Sequence, residues 1–179
     1  MKQISRLVWN ENRKNIFKKS FGVFMQLEQL FKIEYINADL SARNKEDALL
    51  EMVDTIILGG LKLDKSSILE ILKQRESLGS TGIGEGVAIP HGKISALNDI
   101  VIAFGRSVNG IAYDSLDGKP VHLLFLLLAP ENSAGQHLKI LAKISKMLKE
   151  HDFRKKLLKA RTQSDLYRII IDQEDTCVS

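Results

Sequence analysis

Apolar positions change period several times along this chain, and each change marks an element. Lys32–Asn37 alternates polar and apolar residues, the period of a short strand. From Asp47 to Leu58 the apolar residues fall at 49, 50, 53, 56 and 57, one stripe of a helix. Asn44 and Asp47 suit its start, and Gly59-Gly60 its end. Asp64 is placed to cap a second helix that buries Ile68, Leu69, Ile71 and Leu72 and stops at Gly79. Val87–Ile89 and Ile100–Arg106 are rich in β-branched residues and predict strands. Asn109-Gly110 and Asp117-Gly118 are turn signals.

Val121–Leu128 is apolar throughout except for His122, as in a strand covered on both faces. Asn132 or Ser133 then caps a helix over 134–149, whose buried side is expected to hold Leu138, Leu141, Ser145 and Leu148 with Ile140, Ile144 and Met147. Two more helices are expected near 152–160 and 164–172, capped by Asp152 and Ser164. Helices, then strands, then helices predict an α/β fold, a central sheet sandwiched by helices in a single domain.

Composition narrows this picture. The length of 179 residues suits one domain, and 44% apolar residues supply a core. The longest apolar run, Leu123–Ala129, is far short of the roughly 20 residues of a membrane span, so no membrane insertion is expected. The single cysteine, Cys177, forms no internal disulfide and offers no metal cluster; a reducing, cytoplasmic setting follows as the default. The net charge of +4 is uneven. Residues 1–24 hold six basic residues against Glu11, a net +5, which leaves −1 for the remainder. A near-neutral body gives no argument for nucleic acid. Residues 1–24, with Trp9, Phe17, Phe21 and Phe24 but no continuous apolar stretch, are expected to be a basic extension rather than a secretory signal, with a binding arm as the other option. The folded domain is expected over 25–173, with 174–179 as a tail.

Chemistry concentrates in Gly79–Lys93. Glycines stand at 79, 82, 84 and 86, followed by Val87–Ile89, Pro90 and His91. No Gly-Lys-Ser/Thr closes the run, so it is not a nucleotide P-loop. A strand-like run and a proline follow where the dinucleotide fingerprint requires a helix. Two options remain for the glycines: a turn ahead of a strand, or an anion-binding concavity of amide groups. A histidine beside such a concavity is a plausible phosphate acceptor, being partly neutral near pH 7 with an ordinary pKa of about 6.5.

The block Arg75-Glu-Ser-Leu-Gly-Ser-Thr-Gly-Ile-Gly-Glu-Gly-Val-Ala-Ile-Pro-His91-Gly-Lys93 resembles the active-site segment of phosphotransferase-system enzyme IIA proteins of the fructose/mannitol class, nitrogen-regulatory branch. The similarity continues through Tyr113–Pro130 and His137–Ile144 and covers roughly residues 25–173. The resemblance implies an α/β sandwich with a mixed sheet. It also implies a single phosphorylated histidine, His91, loaded by a small histidine phosphocarrier protein, with a second histidine, His137, beside it. Arg75, 16 residues before His91, offers paired donors for phosphate oxygens, although a cation in the last turn of a helix also has a purely stabilising use. Ser80, Thr81, Gly82 and Gly84 are candidates to cradle the phosphate. Glu85 is expected in solvent, His122 without a catalytic role and His151 in a loop. No third ligand joins His91 and His137 at zinc-like spacing, and no metal or cofactor is implied. The lysines 139, 143 and 146, with Arg154, Lys155, Lys156 and Lys159, are expected on solvated faces, with partner docking as the functional alternative. The implied function is a phosphoryl carrier acting mainly as a nitrogen or metabolic regulator on target proteins. The alternatives are a sugar-uptake component donating to a cysteine of enzyme IIB, and a regulatory binding module that is never phosphorylated.

Overall fold

The computed structural model describes residues 26–177. The basic extension assigned to residues 1–24 lies outside them. In chain order the elements are α1 (Leu27–Leu30), β1 (Phe31–Asn37), α2 (Lys45–Leu58), α3 (Lys65–Ser77), β2 (Gly82–Gly84), β3 (Val87–Ala88), β4 (His91–Lys93), β5 (Val101–Ile111), β6 (Val121–Ala129), α4 (Ala134–Lys149), α5 (His151–Lys159) and α6 (Gln163–Cys177).

The sheet is mixed, in the order β1-β5-β6-β3-β2, with β4 also on β6. β1 runs parallel to β5, and β5 antiparallel to β6. β6 is the hub. One of its edges carries β5, and the other carries β3 at Leu123 and Leu124 and then β4 at Leu127 to Ala129. Its side chains alternate between two cores, as the period of two requires. Leu124, Leu126 and Leu128 meet the cluster under α2 and α3. Leu123, Phe125 and Leu127 meet the cluster under α4, α5 and α6. Burying each such side chain contributes about 1.5–3 kcal/mol, which explains why this stretch is apolar without interruption. The expected sandwich is therefore observed.

Local chemistry sets the ends of the elements. The Asn44 and Asp64 side chains accept from the Asp47 and Ser67 amides, at 2.9 and 2.7 Å, and cap α2 and α3 as the sequence suggested. Several details differ. β5 runs through Asn109-Gly110 instead of turning there; the ladder shifts register between Arg106 and Ile111, and Gly110 takes φ +80. Ser133 precedes α4, but its hydroxyl donates back to the Pro130 carbonyl at 2.6 Å and caps no amide. Leu138, expected inside, is 67% exposed; the buried stripe of α4 runs through His137, Ile140, Ile144, Met147 and Leu148. α5 starts at His151, which therefore opens a helix rather than sitting in a loop, and Asp152 lies in its first turn. Thr162, not Ser164, caps α6: its hydroxyl accepts from the Asp165 amide at 3.0 Å while Asp165 accepts from the Thr162 amide at 3.2 Å.

The C-terminal boundary moves as well. α6 continues to Cys177, and Glu174, expected in a tail, is buried. Both Glu174 carboxylate oxygens accept from the Leu27 amide, at 2.7 and 2.8 Å, and Lys143 pairs with the same carboxylate. Lys143 therefore leaves the expected solvated stripe. So does Arg154, which is 8% exposed.

Candidate active site

Pro90 creates the local geometry of His91. Residues 87–93 run along one edge of β6, but a proline has no N–H to give the ladder, so the strand splits into β3 and β4 around it. The Pro90 carbonyl still accepts from Leu127, at 2.9 Å. The Ile89 carbonyl, released from the ladder, lies 2.8 Å from His91 Nδ1. Since a carbonyl only accepts, Nδ1 carries the proton and Nε2 keeps its lone pair. β4 is an edge strand, and the His91 ring is half-buried.

Arg75 approaches from the last turn of α3. Its Nε donates to His91 Nε2 at 3.0 Å, and its Nη1 donates to the Gly79 carbonyl at 3.0 Å. One side chain thus ties the end of α3 to the imidazole. Gly92 permits this approach. A Cβ there would stand 2.7 Å from Ile71 Cγ2, so α3 packs directly on the backbone of β4.

His137, in the first turn of α4, faces His91 edge-on, with ring centroids 5.5 Å apart and an interplanar angle of 77°. It is buried, and its Nε2 has no hydrogen-bond partner among the described residues. Both imidazoles have pKa values below the ordinary histidine range. For His91, burial is the main cause; the Ile89 hydrogen bond opposes it and the Arg75 charge adds to it. For His137, burial again leads, helped by His91 and Lys93. Two neutral rings therefore sit side by side near pH 7, one with its lone pair aimed at a guanidinium.

The expected phosphate cradle looks different in the structure. The Thr81 amide donates to Glu76 at 3.2 Å and the Gly84 amide to the Ser115 hydroxyl at 3.0 Å. The Gly82 amide donates to the Ser80 hydroxyl at 3.2 Å. These donors are spent on acceptors in α3, in the β5–β6 loop and at Ser80. Gly82 is glycine because a Cβ would stand 2.9 Å from the Ser115 backbone, and Gly84 because its φ is +92. Thr81, Gly82 and Gly84 thus hold the turn that delivers β3 and β4. Ser80 shares in this, its hydroxyl reaching the Tyr113 carbonyl at 3.4 Å.

Glu76 was not singled out from sequence. Its carboxylate accepts from the Thr81 amide, the Thr81 hydroxyl and the Tyr113 hydroxyl, and pairs with Lys45 at 3.5 Å. Burial, with the nearby Glu76 charge, pushes the Tyr113 hydroxyl far up. One sequence signal was available: an acid in the last turn of a helix opposes the macrodipole and needs another reason to be there. Glu85 leans on Arg154, at 2.8 Å, with its side chain still 71% exposed. His122 Nδ1 lies 2.9 Å from the Ser107 carbonyl, away from this site. Among the described residues no three His, Cys, Asp or Glu side chains form a metal-ligand group, and no helix is long and apolar enough to cross a membrane.

Comparison with known proteins bears on this arrangement. The sequence profile described as "Phosphoenolpyruvate-dependent sugar phosphotransferase system, EIIA 2" matches residues 29–173. The nitrogen regulatory protein of Bradyrhizobium diazoefficiens is 40% identical over 147 residues, covering 82% of this chain and 95% of that one. The fructose-specific EIIABC component of Bacillus subtilis is 39% identical over 151 residues, 84% of this chain; the match spans only 24% of that longer protein. Among solved structures, the nitrogen regulatory protein IIA-Ntr of Neisseria meningitidis aligns with a TM-score of 0.75 at 32% identity, covering 80% of this chain and 98% of that one.

Proposed function

The chain belongs to the phosphoenolpyruvate-dependent sugar phosphotransferase system EIIA 2 family, and from that premise we propose that His91 Nε2 accepts a phosphoryl group from a histidine phosphocarrier protein, making this chain a phosphorylation-dependent nitrogen or metabolic regulator. The observation that supports this most is the polarity of the His91 ring. Ile89 fixes the proton on Nδ1, and Nε2 points at a guanidinium that suits phosphate oxygens.

In the resting site Arg75 Nε occupies the lone pair that must attack. An arriving phosphoryl group offers that guanidinium charged oxygens, which are better acceptors than a neutral ring nitrogen. As Arg75 moves onto them, the Nε2 lone pair is released. A bond forms from Nε2 to phosphorus, and the bond from phosphorus to the carrier's imidazole breaks, its electron pair staying with that imidazole. His91 keeps its Nδ1 proton, and the Ile89 carbonyl stabilises the positive charge that the ring takes on. His137 Nε2, when it bears the proton, donates to a phosphate oxygen and gains the partner it lacks at rest. Positioning and electrostatic stabilisation are most of what such a transfer needs.

Exposed Leu78 follows α3, exposed Leu138 adjoins His137, and exposed Ile83 of β2 and Leu116 of the β5–β6 loop flank the Leu116–Gly82 hydrogen bond. These apolar chains fit a docking surface for the carrier and for target proteins. Close to two added negative charges at His91 would change which partners dock there.

The test is transfer of label from phosphoenolpyruvate through the upstream enzyme and phosphocarrier. The expected result is an acid-labile, alkali-stable phosphate on the wild type and none on His91→Ala. Label that persists in His91→Ala refutes the assignment, and no label under saturating donor favours the binding module. The Bacillus subtilis relative favours a second reading, sugar uptake. Adding purified enzyme IIB decides between them: loss of label to its cysteine supports uptake, and retention supports regulation.

A further inference from the structure

His122 lies five residues before Leu127, the partner of His91 on β6, roughly 16 Å along the strand. At that distant end the β2–β3 turn, the start of β6 and α5 line an open surface groove of about 610 Å³. The size falls within the roughly 300–1,000 Å³ of small-molecule pockets. Its charge is one-sided. Lys119, Arg154 and Lys155 line it, and Glu85 is the single carboxylate among the lining residues. Leu123, Pro120 and Leu158 form an apolar wall.

Arg154 is a fixed donor rather than a mobile surface cation. Its Nη1 is held by the Leu148 and Lys149 carbonyls at the end of α4, at 2.7 and 2.9 Å. Its Nη2 meets Glu85 at 2.8 Å. Glu85 makes this contact from a left-handed backbone, φ +55, a conformation that non-glycine residues rarely adopt. A strained, solvent-exposed residue thus sets its carboxylate on a buried guanidinium. His122 stands beside this pair with its Nδ1 proton committed to Ser107 and its ring between Gly86 and Gly110. A Cβ at Gly110 would lie 3.2 Å from His122 Nε2, so only glycine leaves the ring its place.

We propose that this groove binds a small molecule bearing a phosphate monoester. The phosphate replaces the Glu85 carboxylate on Arg154 and is flanked by Lys119 and Lys155, and the organic body lies against Leu123, Pro120 and Leu158. Guanidinium and phosphate match in geometry and charge, and a phosphate carries more charge than the carboxylate it displaces. The site is separate from His91 and does not depend on phosphoryl transfer there.

The test is a titration of the ¹⁵N-labelled protein with AMP, glucose 6-phosphate and adenosine, followed by backbone amide shifts. Saturable shifts at Glu85, Gly86, His122 and Lys155 with AMP, and none with adenosine, are expected. Glucose 6-phosphate separates a general phosphate site from one that also needs a flat apolar body: equal binding supports the former, weaker binding the latter, and both support the proposal. Lys119→Glu and Lys155→Glu are each expected to weaken AMP binding about tenfold or more. Glu85→Gln is expected to strengthen it, because the competing charge is gone. Absence of saturable shifts with both phosphates, adenosine shifts equal to those of AMP, or affinity unmoved by both lysine reversals would overturn the proposal.

Discussion

Gly92→Ala tests whether the packing of α3 on β4 sets the reactive geometry. The new Cβ would stand 2.7 Å from Ile71 Cγ2 and 3.7 Å from Leu72 Cδ2. Carbon atoms rest at about 3.5–4.0 Å, so the pair must open by roughly 1 Å. Ile71 cannot simply rotate away, because a β-branched side chain on a helix has one strongly preferred rotamer. The helix must lift instead, and it carries Arg75. The Arg75 Nε to His91 Nε2 distance, 3.0 Å in the native protein, would then approach about 4 Å, beyond hydrogen-bond range. Overpacking of this kind costs about 1–3 kcal/mol of stability. A displacement near 1 Å slows a positioned reaction by up to about 100-fold. Urea unfolding gives the first number, and the initial rate of His91 labelling the second. Ile71→Ala in the same chain removes the colliding methyl, so the double variant should recover much of the rate lost by Gly92→Ala. Native stability and rate in Gly92→Ala, or a double variant slower than both singles, would refute the reasoning.

Arg75→Ala should slow labelling by about 10- to 100-fold, the worth of a charged hydrogen bond to the phosphoryl group, with Arg75→Lys between the two; a native rate for the alanine variant would remove Arg75 from the mechanism. The same variant should raise the His91 pKa, since the Arg75 charge is one of the groups lowering it, and imidazole ¹⁵N shifts read this directly. Because both histidines are held below their ordinary range, the labelling rate should stay level as pH falls to about 6.5 and drop only below it. Folding stability shares the sign: the unfolded rings take up protons first, so the stability from these groups is full above about pH 6.5 and is lost as pH falls through the lower native values. A half-loss of rate at or above pH 6.5 would contradict this.

Much of the fold was legible because local rules and global packing agree. Asn44 and Asp64 are capping residues at caps, and the unbroken apolar run of β6 has a core on each face. Misreadings arose where a distant contact overruled a local signal. Asn109-Gly110 has turn chemistry, but pairing with β6 carries β5 through it as a bulge. Leu138 fits a helical stripe, yet α4 is rolled so that His137 takes the buried place beside it. At the site, His91, Arg75 and His137 come together in the structure. Composition leaves the glycine turn open between a structural turn and an anion cradle, and the partners of its amides, Glu76 and Ser115, favour the former. Those partners lie up to 31 residues away in sequence, where no periodicity reports them.

Glu174 reaches Leu27 across 147 positions of sequence, so the polypeptide enters and leaves the domain at a common doorway. The domain is thus suited to circular permutation. A short bridge across the doorway, with a new opening in the loop between α2 and α3, would leave the sheet strands and the imidazole pair uncut. Shortening the chain to the limits of its family match, 29–173, would take the doorway's hinge pin away.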